Sequence, residues 1–154
     1  MPPQPEKDSV NPVPLTSAPL AEVRAAPLST DDVLAAVRHD AAGAIALFVG
    51  QVRDHDEGKG VTALSYSCHP TATQVALQVT AALAEAHPEC RLAVLHRVGD
   101  LAVGDIAIVA AVSAAHRADA FTVCRALVDA IKAQVPIWKH QSFSDGSDEW
   151  VGIS

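Results

Sequence analysis

The chain has 154 residues and a mass of 16.0 kDa, enough for one domain with a sizeable core and too little for two. Hydrophobic residues make up 49% and charged residues 19%, which excludes a wholly disordered chain. The net charge of −7 argues against a general nucleic-acid surface; with no apolar run near the roughly 18 residues of a membrane span and no signal-peptide pattern, the chain reads as soluble and cytoplasmic.

Six of the ten prolines fall in the first 20 residues: Pro2, Pro3, Pro5, Pro12, Pro14 and Pro19. Proline at that density blocks helix and sheet pairing, so residues 1–20 read as a disordered tail and 21–154 as a single domain. Residues 21–26 suit an edge strand. Ser29 or Thr30 caps a short helix with Val33, Leu34 and Val37 inward. Ala44 to Val49 is continuously apolar and reads as a buried strand, followed by a charged, glycine-bearing loop at 54–60. Val61 to Cys68 is a strand. Pro70 and Thr71 open a helix with Val75, Val79, Leu83 and Ala86 inward, and Pro88 ends it. Residues 91–98 and 105–113 are strands around a turn at Gly99-Asp100. A long helix spans about 115–134, with Phe121, Cys124, Leu127, Val128 and Ile131 inward and Asp119, Arg125 and Asp129 outward. Pro136 stops it, and Ile137-Trp138-Lys139 runs extended. Several strands follow one another without a helix between them. That order predicts an α+β fold, a mostly antiparallel sheet covered by helices.

Cys68, Cys90 and Cys124 are an odd set at wide spacing. They form neither a disulfide framework nor a zinc site, and each reads as a small buried hydrophobe. Four cationic features stand out. Arg53 sits where a strand runs into a polar loop, able to aim its fork at an anion. His116-Arg117 begins the long helix, where free N–H groups favour an anion and a cation opposes the helix dipole. Lys132 lies in the last turn of that helix. Lys139 follows a proline and a tryptophan, an apolar wall that can turn a lysine into a nucleophile or proton carrier. Each also has an ordinary structural explanation: a solvated strand-end arginine, an arginine paired with Asp119, a lysine completing a helix end, a lysine snorkelling past a core tryptophan. Asp54, Asp56 and Glu57 read as solvated surface, not as an acid/base pair.

The segments GAIALFVGQVR (43–53), LHRVGDLAVGDIAIVAAVSAAHRADAF (95–121) and IKAQVPIWKHQ (131–141), followed by Asp145-Gly146 and Trp150, resemble the catalytic (large) subunit of molybdopterin synthase. The likeness covers about residues 21–151, and HRxGxLxxGD, HRxxAF and PIWK are specific in combination. It implies a hammerhead-like α+β fold. It implies a sulfurtransferase that installs the dithiolene of molybdopterin on cyclic pyranopterin monophosphate, with no permanently bound cofactor and no metal. The sulfur donor would be the C-terminal Gly-Gly thiocarboxylate of a small ubiquitin-like partner, and the large subunit would be a homodimer, with no nucleic acid or membrane involved. Matched by position, Lys132 and Lys139 are the catalytic lysines. Gln51, Val52, Arg53, His116, Arg117, Lys132, Lys139, His140 and Gln141 are the substrate-binding set. Gln141 stands where the family usually has Glu, so it supplies no carboxylate there.

His116 and Lys132 are 16 residues apart, about 24 Å on one continuous helix at roughly 1.5 Å per residue. Either the helix breaks, or each pocket combines Lys132 and Lys139 of one chain with His116 and Arg117 of its twofold mate; the second is the expectation. Two other readings compete. One is a non-catalytic anion-binding or assembly module of the same fold. The other passes sulfur through a persulfide on Cys68, beside His69. The one net-positive stretch, residues 106–141 at +2, holds His116, Arg117, Lys132 and Lys139.

Overall fold

The structure is a computed structural model, and it describes residues 18–152. The proline-rich segment lies, up to residue 17, outside the described residues. In chain order the elements are β1 (Leu20–Arg24), α1 (Thr30–Val37), β2 (Ala44–Gln51), β3 (His55–Asp56), β4 (Lys59–Cys68), α2 (Ala72–Ala86), β5 (Arg91–Arg97), β6 (Gly99–Leu101), β7 (Ile106–Ala114), α3 (Arg117–Gln134), β8 (Ile137–Phe143) and β9 (Asp148–Gly152). The expected α+β class is what is found.

One sheet runs β1-β5-β7-β2, with β1 parallel to β5 and the other pairs antiparallel. Its central strands are buried on both faces, which explains their unbroken apolar runs. Alternate residues choose the layer. Ala93, Leu95, Val109 and Ala111 pack under Val33 and Val37 of α1. Leu92, Val94, Ile108, Ala110 and Val112 face the opposite way, onto α2 and α3. Helix α1 starts where Ser29 accepts a hydrogen bond from the Asp32 N–H (3.4 Å), with Asp31 and Asp32 favouring the positive helix end.

The second sheet runs β3-β4-β8-β9, and β6 pairs with β4. It is joined to the first through Val52, Leu64, Leu101 and Ala107, a small cluster of their own. Residues 54–60, expected as a loop, form a hairpin instead. Glu57 and Gly58 both have positive φ (49° and 79°), the backbone that closes a two-residue hairpin turn. Strand β9 was not foreseen either: Asp148 to Gly152 is exposed throughout, Trp150 and Val151 included, and it pairs with β8.

Several packing expectations need correction. Leu34 is half-buried and outside the cluster that holds Val33 and Val37, and Cys68 is half-buried, not buried. Phe121 is 67% exposed; the inner face of α3 is Ala120, Val123, Cys124, Leu127, Val128 and Ile131, so Phe121 falls one step off it. On α2 the buried face is Ala72, Ala76 and Thr80, with Val75, Val79 and Leu83 at its margin and Ala86 exposed. Strand β2 is an edge. Only Ala46 of it is buried, while Ile45, Leu47, Phe48 and Val49 remain exposed. A continuous apolar run predicts burial but does not say whether the chain's own helices supply the cover.

Leu127 is fully buried in the larger cluster. Leu127→Ala is therefore predicted to destabilise the fold by about 2–5 kcal/mol, read as a lower urea midpoint with an unchanged slope.

Candidate functional site

Strand β8 sets the site. Side chains alternate along it, so Lys139 and Gln141 point to one face and Trp138 and His140 to the other. In the antiparallel pairing with β4, Tyr66 lies opposite Lys139 and Leu64 opposite Gln141. The end of α3 brings Lys132 to the same face. The result is a cavity of about 440 Å³ walled by Tyr66, His96, Lys132, Ile137 and Lys139. A narrower lobe of about 160 Å³ shares Tyr66, His96 and both lysines and runs on to Arg53, Asp56 and Gln141.

Gly50, Gln51 and Val52, at the end of β2, also line that lobe. The β2–β7 register shifts at Gly50/Gln51, and Val52 is pinned there: its N–H donates to the Asp105 carbonyl (2.9 Å) and its carbonyl accepts from Gly104 (2.7 Å). Gly50 is required at the shift, because a Cβ would meet the Ile108 methyl at 2.6 Å. The Val52 side chain is buried, Gln51 is exposed beside it, and Arg53 emerges at the rim. The Arg53 fork is 66% exposed and donates to Asp56 Oδ1 at 3.0 Å. Asp56 Oδ2 accepts from Gln141 Nε2 at 2.8 Å.

Two wall residues were not among the sequence candidates. Tyr66 packs its ring against His96 edge to face, with centroids 5.0 Å apart, and burial pushes its phenol pKa up. His96 is buried, and its Nδ1 lies 2.8 Å from the Arg97 carbonyl. A carbonyl only accepts, so Nδ1 carries the proton and Nε2 is left as a bare acceptor at the cleft. Burial, with the Lys132 charge adding to it, lowers the imidazole pKa to about 4. The ring is therefore neutral at pH 7. The only sequence signal for His96 is that it opens HRxGxLxxGD. The rest of that motif builds the turn beyond it: Arg97 pairs with Asp105 (3.3 Å), Asp105 accepts from the Ala102 N–H (2.9 Å), Leu101 is buried, and Gly99 and Gly104 take positive φ.

The remaining candidates lie elsewhere. His140 is turned away, its Nε2 2.8 Å from Asp148 and its ring stacked on Trp150 at 4.4 Å. His116 caps the far end of α3, and Arg117 begins it; both are exposed. The helix is unbroken over 18 residues, so one chain does not bring them to its own lysines. Asp56 corrects a reading: it is not solvated surface but the wall of the narrow lobe, while Asp54 pairs outward with His55. Among the described residues, no group of three His, Cys, Asp or Glu side chains could hold a metal. No helix among them is long and apolar enough to cross a membrane.

The family model for the MoaE protein matches residues 23–134, which takes in β2, the HRxGxLxxGD turn, Arg117 and Lys132. The chain belongs to the MoaE protein family. It is 46% identical over 127 residues to a molybdopterin synthase catalytic subunit 1 of Mycobacterium tuberculosis, covering 82% of this chain and 86% of that one. A molybdopterin synthase catalytic subunit of a Nostoc species is 38% identical, over 83% of this chain and 79% of the relative. Among solved structures, molybdopterin synthase from Staphylococcus aureus superposes with a TM-score of 0.79 at 31% identity, over 86% of this chain and 96% of that one. A complex of subunits 1 and 2 of the molybdopterin-converting factor from Helicobacter pylori shares the fold, with a TM-score of 0.64 at 19% identity, over 88% and 90% of the two chains.

The His96 imidazole makes the stability pH-dependent with a definite sign. The unfolded ring titrates near 6.5 and the folded one near 4. Between those values the unfolded chain binds a proton that the folded chain refuses, so stability falls as the pH falls. Melting temperatures at pH 7.5 and 5 are predicted to differ less in His96→Gln than in the wild type.

Proposed function

We propose that the chain is the catalytic subunit of a molybdopterin synthase, a cytoplasmic sulfurtransferase. It takes sulfur from the C-terminal thiocarboxylate of a small ubiquitin-like partner and delivers it to cyclic pyranopterin monophosphate. The observation that carries this reading is the meeting of Lys132 and Lys139, from two separate elements, on one cleft rimmed by Arg53, in a chain of the MoaE family. The cleft is of the size that takes a small ligand, and its cations suit an anionic one. Acyl transfer from a thiocarboxylate develops negative charge on oxygen, and two ammonium groups held by a strand and a helix end are placed to stabilise it. Among the described residues the cysteines are unpaired, as a reducing compartment keeps them. No cofactor or metal is assigned to the site.

The same reading makes the working unit a homodimer with shared pockets. Edge strand β2 exposes Ile45, Leu47, Phe48 and Val49, and α3 exposes Phe121 beside it over an apolar hollow of about 270 Å³. A second copy of this chain is the proposed cover. Along β2, Ala44 lies opposite Ala114, two residues before His116, whereas Gln51 lies at the cleft. Twofold antiparallel packing along β2 would therefore set the His116-Arg117 end of one copy beside the lysine end of the other.

Reconstitution with a thiocarboxylated carrier and the pterin substrate tests the activity. Molybdopterin should form, and Lys132→Ala and Lys139→Ala should each lower the rate by roughly 10²–10³-fold. Binding of both substrates without turnover would instead favour the non-catalytic module. Mixing a Lys139→Ala chain with an Arg117→Ala chain tests the sharing. Heterodimers should regain about one intact pocket each, and no recovery would sink the shared site.

A further inference from the structure

The charged groups on the cleft are unequal in number. Arg53 comes from the end of β2, Lys132 from α3 and Lys139 from β8; Asp56, from the β3 hairpin, is the one carboxylate among the residues lining either lobe. Tyr66, His96 and Gln141 are neutral. Asp56 is also the best-anchored member of the rim. Its side chain is 20% exposed where that of Arg53 is 66% exposed, and both of its oxygens are engaged, Oδ1 by Arg53 and Oδ2 by Gln141, which lies 85 positions away in sequence.

Each partner gains something specific. A carboxylate only accepts, so it fixes the Gln141 amide with its NH2 toward Asp56 and its Oε1 turned away. Arg53 meets Asp56 through Nη2 alone, which leaves the rest of its fork free for a second anion. Unsupported, that long side chain would have to be ordered anew for each ligand.

We propose that Asp56 is a positioning residue of the cleft: it holds Arg53 in the orientation that receives the phosphate of the substrate, and it supplies through Gln141 the carboxylate that strand β8 lacks at that position. This rests on the function proposed above. The Gln141 hydrogen bond, with help from the Lys139 and Arg53 charges, holds the Asp56 carboxyl below the usual carboxylate range, so the clamp is ionised at neutral pH. The hairpin that carries it is set by the Glu57-Gly58 turn.

Positioning and bulk electrostatics predict opposite signs. A carboxylate near an anion site repels the anion, so if Asp56 acted only by its charge, Asp56→Asn would tighten binding. If it positions Arg53, Asp56→Asn should raise the KM for the pterin substrate about tenfold, with kcat changing less, the size expected for one charge-assisted hydrogen bond. The carboxylate can also be moved across the hydrogen bond. Gln141→Glu alone sets two carboxylates against each other and should raise KM as well. The double variant Asp56→Asn/Gln141→Glu should return KM to within about threefold of wild type, a coupling that simple loss of structure does not give. An Asp56→Asn variant with unchanged or lower KM, or a double variant no better than Asp56→Asn, would overturn the proposal. Titration with inorganic phosphate, followed at the arginine Nε signals, reads the same positioning without turnover. If wild-type protein makes no molybdopterin yet phosphate binding weakens about tenfold in Asp56→Asn and recovers in the double variant, the clamp stands and the assigned reaction falls. Equal phosphate affinity across the set removes the clamp whatever the activity.

Discussion

Tyr66 stands opposite Lys139 and Leu64 opposite Gln141 because β4 and β8 keep one register from Ala63 to Cys68, after a shift between Val61 and Ala63. Side chains alternate along a strand, so a slip of one residue would turn Trp138 and His140 into the cleft and carry Lys139 and Gln141 out of it. Several anchors hold the register. Ile137 and Phe143, at the two ends of β8, are buried on the same side as Gln141. Val135 is buried just before the strand, and the Pro136 carbonyl accepts from the His69 N–H beyond the end of β4. The apolar ends of β8 thus decide which way the polar middle faces, and the site inherits its geometry from hydrophobic burial.

Much of the first sheet was legible in the sequence, because its signal is local. The runs at 44–49, 91–98 and 105–113 are mostly apolar and each is flanked by a glycine, Ser29 caps the first helix, and Pro88 and Pro136 follow the ends of the other two. The errors came where cover is supplied from far away or from outside the chain. Phe121 fits a loose helical stripe, but Ala120 is the residue that faces inward. The run at 44–49 announces a strand but not that it is an edge. Strand β9 has no apolar alternation to read, since it exists as a partner for β8.

The site divides in the same way. Lys132, Lys139 and Arg53 could be named from the family's motifs, but their meeting depends on pairings between residues far apart in sequence. Tyr66 and His96 were not singled out, because neither spacing nor composition reports the edge-to-face contact that joins β4 to β5. Asp56 was misread for the opposite reason. Its neighbours Asp54, Glu57 and Lys59 are exposed, and a charged, glycine-bearing run suggests solvation without showing that one side chain turns back toward β8.

Helix α3 keeps two of the sequence candidates apart within one chain. It runs unbroken over 18 residues, and its buried residues from Ala120 to Ile131 pack into the larger core cluster. His116-Arg117 at one end and Lys132 at the other are therefore held at opposite ends of a rigid rod. A chain with a net charge of −7 nevertheless gathers cations at both ends of that rod while spending no carboxylate near the lysines except Asp56. Clustered cations repel, and a pocket that is open to water tolerates them by screening. An anion arriving there relieves the repulsion and gains the attraction of every cation at once. In a chain acidic overall, the cleft is where clustered positive charge favours an anion.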